Sequence, residues 1–434
     1  MGSYGSSITV AIVGGGPGGL ATAIALSGLA NVSVALYEQN PEPREVGAGL
    51  SVGSNGWKVL DLLGAADDVQ GCVKTSATHR NGYTGEVFLP ALERDLTRRE
   101  PGGRPRTRVR RARLQSALLS RVPLGVIQYN KKVTSIQDLG EKAVQISFDD
   151  GTVAVADLVV GADGFRSIVR RTLFPDHQIH FLGTRTWRTL APLSSVAHLG
   201  DIATSGSWHG KTAQAFFSGV DHESEEELFE ISLRSSDRHG SLDPAVSWGV
   251  PVTNEKVASK FTNFDPRVQA AIASVQEGQW REFALFTGPC LEAITAWNKV
   301  ALVGDASHPL SGGFGTGSAF AMEDAWILAQ ALEYACDSPE PVKDALKIFD
   351  GIRSPYYRRI YQWRESQPSM SAAKKALAEN ENRPLDDILS DRLRHFMPDM
   401  AGQLDWIHKN DIEQVWKDFL ELRTREMSVE KIDI

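Results

Sequence analysis

Apolar positions along the chain alternate between two rhythms. Ile8–Val13 is a continuous apolar run of strand length, residues 20–29 suit a helix, and Val32–Tyr37 is a second strand-like run. Residues 41–56 are rich in glycine and proline and predict a loop long enough to wrap a ligand. A short helix at 57–63, stopped by Gly64, a hairpin at 73–83 and 86–89, and a helix at 111–120 with Leu114 and Leu118 on its buried stripe follow. A strand is predicted at 126–129. Residues 133–139 and 143–148 predict an antiparallel pair beside the turn signal Asp149-Asp150-Gly151. Residues 157–171 repeat the design of strand, glycine turn and helix.

From about residue 172 the rhythm changes. Strand-like runs at 184–190, 213–217 and 228–233 lie among Trp187, Trp208, Phe216, Phe217, Phe229 and Trp248, with short helical pieces at 257–260 and 268–275. This predicts a mostly antiparallel layer inserted into a nucleotide-binding fold. The β/α rhythm returns at 299–303 and leads to a long helix at 318–334. Helical runs at 341–349, 353–366, 370–378, 385–395 and 411–425 close the chain. The implied division is 1–171, 172–290, 291–365 and 366–434.

Composition narrows the function. A 434-residue chain with a net charge of −8 does not suggest nucleic acid as main partner and suits a small-molecule enzyme. Cys72, Cys290 and Cys336 are far apart and form neither a metal pattern nor a disulfide framework, so a reducing, cytoplasmic setting is expected. The amino terminus does not read as a signal peptide, and no apolar run is long enough for a transmembrane segment. Nine arginines between 94 and 113 read as a solvated loop and a polar helix face, a minority of them facing phosphate.

The opening glycines carry chemistry. Gly14, Gly16 and Gly19 have the G-x-G-x-x-G spacing between a predicted strand and helix, and Glu38 ends the next strand, where an acid accepts bonds from a ribose diol. A bound pyrophosphate would meet free N–H groups at the helix amino end. A second such unit is missing from the sequence, as is the cysteine pair of a disulfide reductase.

Gly14–Gly19, Gly161-Ala162-Asp163-Gly164-Phe165-Arg166-Ser167 and Val303-Gly304-Asp305-Ala306-Ser307-His308-Pro309 occur in an order and spacing that resemble the class A FAD-dependent aromatic hydroxylases, which include p-hydroxybenzoate, salicylate and 6-hydroxynicotinate monooxygenases. The resemblance covers about residues 8–365. It implies an α/β fold of the p-hydroxybenzoate hydroxylase type: a Rossmann-like FAD-binding domain, an inserted antiparallel β substrate domain and C-terminal helices. It implies non-covalent FAD, with NAD(P)H and O2 as co-substrates. Gly14, Gly16, Gly19 and Glu38 resemble the ADP site, and Arg44 resembles an arginine near the adenosine. Arg111 resembles an arginine at the phosphate or ribityl region, and Asp163, Gly164 and Arg166 the motif shared by flavin and nicotinamide. Asp305 resembles the aspartate on the ribityl hydroxyls, and Pro309 a proline beside the isoalloxazine ring. Gly315, Thr316 and Gly317 fall where the family aims a helix amino end at the flavin N1 edge, whose reduced anion such N–H groups would favour. Asp163 suits helix capping as well, and Asp305 has the same alternative.

For the substrate, Trp187-Arg188 resembles a strand near the active-site opening, so Arg188 is expected at a substrate carboxylate or the flavin. His209 is a candidate base for a phenol. Phe216, Phe217 and Trp280 suit either an apolar pocket or plain core, and His308 reads as structural. Gly312, Thr316 and Phe320 depart from the family pattern and imply an altered, more apolar pocket near the ring. The expected activity is hydroxylation of an activated, phenolic aromatic through a flavin C4a-hydroperoxide, by a monomer or homodimer. The alternatives are epoxidation or hydroxylation of an isoprenoid or other apolar metabolite, a flavin oxidoreductase without oxygenation, and a non-enzymatic FAD-binding regulator.

Overall fold

The computed structural model describes residues 7–43, 49–69, 71–73, 78–89, 104–140, 143–221, 227–236, 248–311, 315–366, 387 and 404–430. Arg44, Gly312, the predicted helix at 370–378 and nearly all of 385–395 lie outside them. The opening unit is β1 (Ile8–Val13), α1 (Pro17–Ser27) and β2 (Val32–Tyr37). Then come β3 (Gly49–Val52), α2 (Ser54–Leu62), β4 (Cys72–Val73), β5 (Thr78–Asn81), β6 (Val87–Leu89), β7 (Thr107–Arg110) and α3 (Arg111–Leu119). β8 (Ile127–Gln128), β9 (Val133–Asp138), β10 (Val144–Phe148), β11 (Val153–Ala156), β12 (Leu158–Gly161) and α4 (Ile168–Leu173) complete the first part.

A six-stranded sheet runs in the order β19-β20-β12-β1-β2-β8, where β19 is Thr295–Ala296 and β20 is Val300–Leu302. Its pairs are parallel apart from the edge strand β19. Val10–Val13 and Leu158–Gly161 are buried along their whole length, which is why they read as unbroken apolar runs rather than as alternation. The long helix α7 (Gly317–Tyr334) lies against α1. A Cβ on Gly18 would stand 3.1 Å from Ala321 Cβ, so small residues set that close approach.

The larger sheet has eight strands, β17-β18-β13-β16-β15-β14-β5-β6. Its further strands are β13 (His180–Pro192), β14 (Gly206–His209), β15 (Ala213–Gly219), β16 (Leu228–Ser236), β17 (Trp248–Pro251) and β18 (Arg281–Thr287). Alternation divides its faces. Trp187, Trp208, Phe217, Phe229, Ile231 and Leu233 join a second core with residues of α5 (Asn254–Ala258), α6 (Pro266–Ala273) and their flanks, including Phe261 and Trp280. On the opposite face the register aligns Arg188, Ser232, Phe216, Ser207 and His79 in one row across β13, β16, β15, β14 and β5. All pairs in this sheet are antiparallel except β14 with β5.

The predicted hairpin at 73–89 resolves into three strands in two sheets. β5 and β6 pair with each other and join the large sheet, whereas β4 pairs with β7 in a small sheet with β3. The helical runs predicted at 341–349 and 353–366 form one helix, α8 (Pro341–Ser366), with Pro355 inside it. Gly351 and Pro355 both lie on its exposed face, so water can serve the carbonyl that proline leaves unpaired. Arg353, Tyr357, Ile360 and Tyr361 are buried on the other side, and that burial overrides the local breakers. The last described elements are helices Asp405–His408 and Ile412–Glu430.

Candidate functional site

Two glycines close the first turn and a third leaves it open. Gly14 adopts φ +105°, and a Cβ there would sit 2.6 Å from the Ala162 carbonyl oxygen. A Cβ on Gly19 would sit 1.9 Å from the Gly14 carbonyl oxygen, whereas one on Gly16 would meet nothing among the described residues within 4 Å. The space before Gly16 faces the start of α1, which has no side-chain cap and no acid in its first turn. Its leading N–H groups are therefore available to an anion. Glu38 closes the side of this cradle. Its Oε2 accepts from Gly15 N at 2.7 Å, and its Oε1 accepts from Asn40 N at 2.8 Å and Asn40 Nδ2 at 2.5 Å.

The late glycine turn forms the second wall. Asp305 keeps a large accessible share although protein surrounds it, as expected of a group on the wall of an internal cleft. That enclosure pushes its carboxyl above the ordinary range, against the pull of His308, Arg111 and Arg170. A Cβ on Gly317 would stand 4.0 Å from Asp305 Oδ1, so the start of α7 adjoins this carboxylate. Thr316, the residue before α7, provides no side-chain cap, and Gly315 holds φ +66°. Pro309 fixes the far end of the turn: its carbonyl accepts from Thr287 Oγ1 at 3.0 Å at the end of β18.

Asp163 caps α4, accepting from Ile168 N at 2.6 Å and Val169 N at 3.2 Å through Oδ2, while its buried Oδ1 has no partner among the described residues. Burial raises its pKa, opposed by bonds from Ser167 and the helix amides. The exposed Arg166 stacks over Phe165 and Phe286. The buried Arg170 joins this turn to the late one, donating from Nη1 to the carbonyls of Asp305 at 3.1 Å and Ala306 at 2.9 Å and from Nη2 to that of Phe165.

Beneath the late turn lies a buried charge network. Arg353 donates to Asp324 Oδ1 at 2.7 Å and Glu323 Oε2 at 3.1 Å, and Tyr357 donates to Asp324 Oδ1 at 2.6 Å. Asp324 Oδ2 accepts from Gly304 N at 2.9 Å and lies 3.3 Å from His308 Nε2. Asn55 Nδ2 bridges Thr316 Oγ1 at 3.2 Å and Glu323 Oε1 at 3.3 Å. One buried arginine thus ties Gly304 and His308 to Thr316 and to Asn55 of α2 through its two acids. Burial pushes Glu323 up to about 7 despite Arg353. Burial also pushes on Asp324, but Arg353, His308 and Tyr357 together outweigh it and hold that carboxyl low.

Arg188 and His209 share the polar face of the large sheet but do not meet. Three strand spacings separate β13 from β14, which places them roughly 15 Å apart. Arg188 donates from Nε to Glu230 Oε1 at 2.9 Å, from Nη2 to the same oxygen, and from Nη2 to the Gly49 carbonyl at 2.6 Å. His209 Nε2 lies 2.9 Å from His79 Nδ1, with the rings stacked, so one proton lies between two imidazoles. The cofactor layer meets this sheet at two seams: Gly49 and Arg108 against Arg188 and Glu230, and Pro309 against Thr287.

Residues 7–338 match the family described as FAD binding domain. The chain belongs to the class A FAD-dependent aromatic hydroxylases. This hydroxylase is 28% identical over 361 residues to a 3-amino-4-hydroxybenzoate 2-monooxygenase of Streptomyces platensis, covering 81% of this chain and 86% of that one. It is 27% identical over 444 residues to a 6-methylsalicylate 1-monooxygenase of Aspergillus terreus, covering 97% and 93%. Its fold resembles that of Klebsiella pneumoniae HpxO complexed with FAD and uric acid, with a TM-score of 0.71, 22% identity and coverage of 94% and 97%.

The residues of the hydroxylase fit FAD: an open approach at Gly16, an uncapped α1, and an accessible carboxylate beside the uncapped start of α7. The arginine-rich run is less solvated than its composition suggests. Arg104 pairs with Asp61 and Asp67, Arg108 with Glu230, and Arg110 and Arg113 with Asp221. These acids are distant in sequence, so no local pattern announces them. Arg111 remains at the start of α3 within electrostatic reach of Asp305. Phe320 does not line a pocket: it is buried against His308, Tyr356 and Tyr357. Phe217 and Trp280 are core, and Phe216 lies on the polar face under Arg108. Arg170, Asn55 and Arg353 escaped the sequence reading, since each acts through partners far away in the chain; the acidic run 221–230 suits an exposed hairpin end by composition, yet Asp221 and Glu230 at its two ends are buried.

Proposed function

We propose that this FAD-dependent monooxygenase uses NAD(P)H and O2 to hydroxylate an electron-rich, phenolic aromatic held between the late glycine turn and the polar face of the large sheet. One observation carries the reading: Asp305 and the uncapped start of α7 share a wall of an internal cleft, with Arg170 joining it to the turn after β12. When bound there, FAD would supply the oxygen chemistry. Asp305 would hold the ribityl hydroxyls, with Gly14, Gly16, Gly19, Glu38 and Arg111 on the ADP side. Arg44 belongs to that set from its sequence position. The amides at Gly315, Thr316 and Gly317 would favour negative charge at the flavin edge.

His209, sharing a proton with His79, would accept the phenolic proton, Arg188 would hydrogen-bond the ring substituent, and Pro309 would wall the flavin side. The roughly 15 Å between Arg188 and His209 favours a substrate larger than one ring if both act on it together. Purified protein should show an oxidised-flavin visible spectrum and ring-stimulated NAD(P)H oxidation, with product mass raised by one oxygen. Flavin turnover without any oxygenated product, across phenols and larger fused-ring compounds, would leave only a plain oxidoreductase.

A further inference from the structure

We infer that Glu230 is a positioning residue that fixes Arg188 as a one-edged donor and so selects ring substrates lacking a carboxylate at that edge; the inference rests on the oxygenation proposed above. Glu230 is fully buried on β16 and faces two arginines. Its Oε1 accepts from Arg188 Nε and Nη2, and its Oε2 accepts from Arg108 Nη2. Arg108 is turned away from the cleft, with Nη1 on Ser51 Oγ at 3.1 Å, a buried Nε that finds no partner among the described residues, and only 9% of its side chain accessible. The fork closes this tightly because position 49 lacks a side chain: a Cβ there would stand 2.4 Å from Glu230 Oε2 and 2.5 Å from Arg108 Nη2.

What remains of Arg188 decides the chemistry. A guanidinium grips a carboxylate through two parallel N–H bonds along one edge. The Nε–Nη2 edge is filled by Glu230, and Nη2 also serves the Gly49 carbonyl. Among the described residues only Nη1 is left without a bond, on a side chain that keeps 29% of its surface accessible. The two N–H groups of Nη1 diverge from one nitrogen and cannot lie in parallel on one carboxylate, so each suits a lone acceptor such as a carbonyl, amide or hydroxyl oxygen. A substrate carboxylate would find half a grip, because Glu230 already holds the paired edge. The same economy recurs nearby, where Arg110 and Arg113 close on Asp221 at 2.6 and 3.0 Å.

The test compares matched rings on the flavin-loaded protein: 2-hydroxybenzoate against 2-hydroxybenzamide, and the 4-hydroxy pair. Affinity is read from the change in flavin absorbance, and turnover from NAD(P)H oxidation with product mass. The amides should bind about tenfold tighter or better than the acids, the worth of one charge-assisted bond. Glu230→Gln should shrink that ratio about tenfold, chiefly by lowering KM for the acid, while Glu230→Asp restores the wild-type order. A merely structural glutamate would alter both rings equally. Acids bound as tightly as amides by the wild type, no absorbance change with either ring, or an unchanged ratio in Glu230→Gln would overturn the inference. Because the wild-type ratio decides alone, a misfolded variant does not rescue it. Amide-selective binding without oxygenated product would instead sink the proposed reaction and leave this selection standing.

Discussion

At the scale of single residues, the three glycines of the first turn have separable duties. Gly16→Val should fold normally and lose FAD, because its side chain would enter open space where a pyrophosphate is proposed to lie. Gly19→Ala should fold poorly whether or not flavin is added, because its Cβ would strike the Gly14 carbonyl. Thermal unfolding with and without FAD separates the two outcomes, and equal Tm losses would refute the distinction. Asp305→Ala should weaken FAD retention at least about tenfold, the worth of one or two sugar-alcohol bonds to a charged acceptor, read by flavin release on dilution. Unchanged retention would remove Asp305 from the ribityl role. His209→Asn should keep its flavin but lose about a hundredfold or more in kcat and flatten the pH profile of hydroxylation. A wild-type profile in that variant would leave the phenolic proton to another group.

Single residues were also where sequence reading was both strongest and weakest. The glycine spacing was visible because backbone geometry demands it locally. Asp163 carried two readings, and the structure shows its capping bonds directly. Phe320 looked like a pocket residue only because it replaces a polar position. Its ring turns into the core of α7 against two tyrosines of α8.

At the scale of elements, α7 and α8 are held together by charges rather than by an apolar seam alone. Arg353 offsets two buried carboxylates, and Glu323 is the one pushed up, to about 7. An acid whose folded pKa is raised binds its proton more tightly when folded. Its contribution to stability is therefore full below its ordinary 4.5 and is lost as pH rises to about 7. Glu323→Gln should flatten that decline, which amounts to at most about 3 kcal/mol. Denaturant unfolding at intervals across the window reads the effect, and an unaltered slope would show that Glu323 is ionised throughout. The elements themselves were legible wherever one rhythm persisted, as in β1, β2, α3 and α7. The sequence of α8 suits two helices because Gly351 and Pro355 break helices locally, whereas its continuity comes from burial against α7.

At the scale of the whole molecule, the sequence pointed to a nucleotide-binding fold with an inserted antiparallel layer, and the structure has both. The exchange of strands between layers was not legible. β5 and β6 come from the amino-terminal part yet complete the edge of the large sheet beside β14. Short strands carry too few residues to declare which sheet they will join. Residues 172–290 expressed alone should accordingly fail to form a cooperative unit, since they leave β14 without its neighbour. A sharp unfolding transition from that fragment would contradict this.

The shared edge also limits how such a protein can diversify. A recombination that imported a foreign substrate layer as one contiguous insert would arrive without the two strands encoded some ninety residues upstream, and its histidine partner at position 79 would be left behind. New specificities are therefore more accessible through point changes along the polar row than through shuffling of modules.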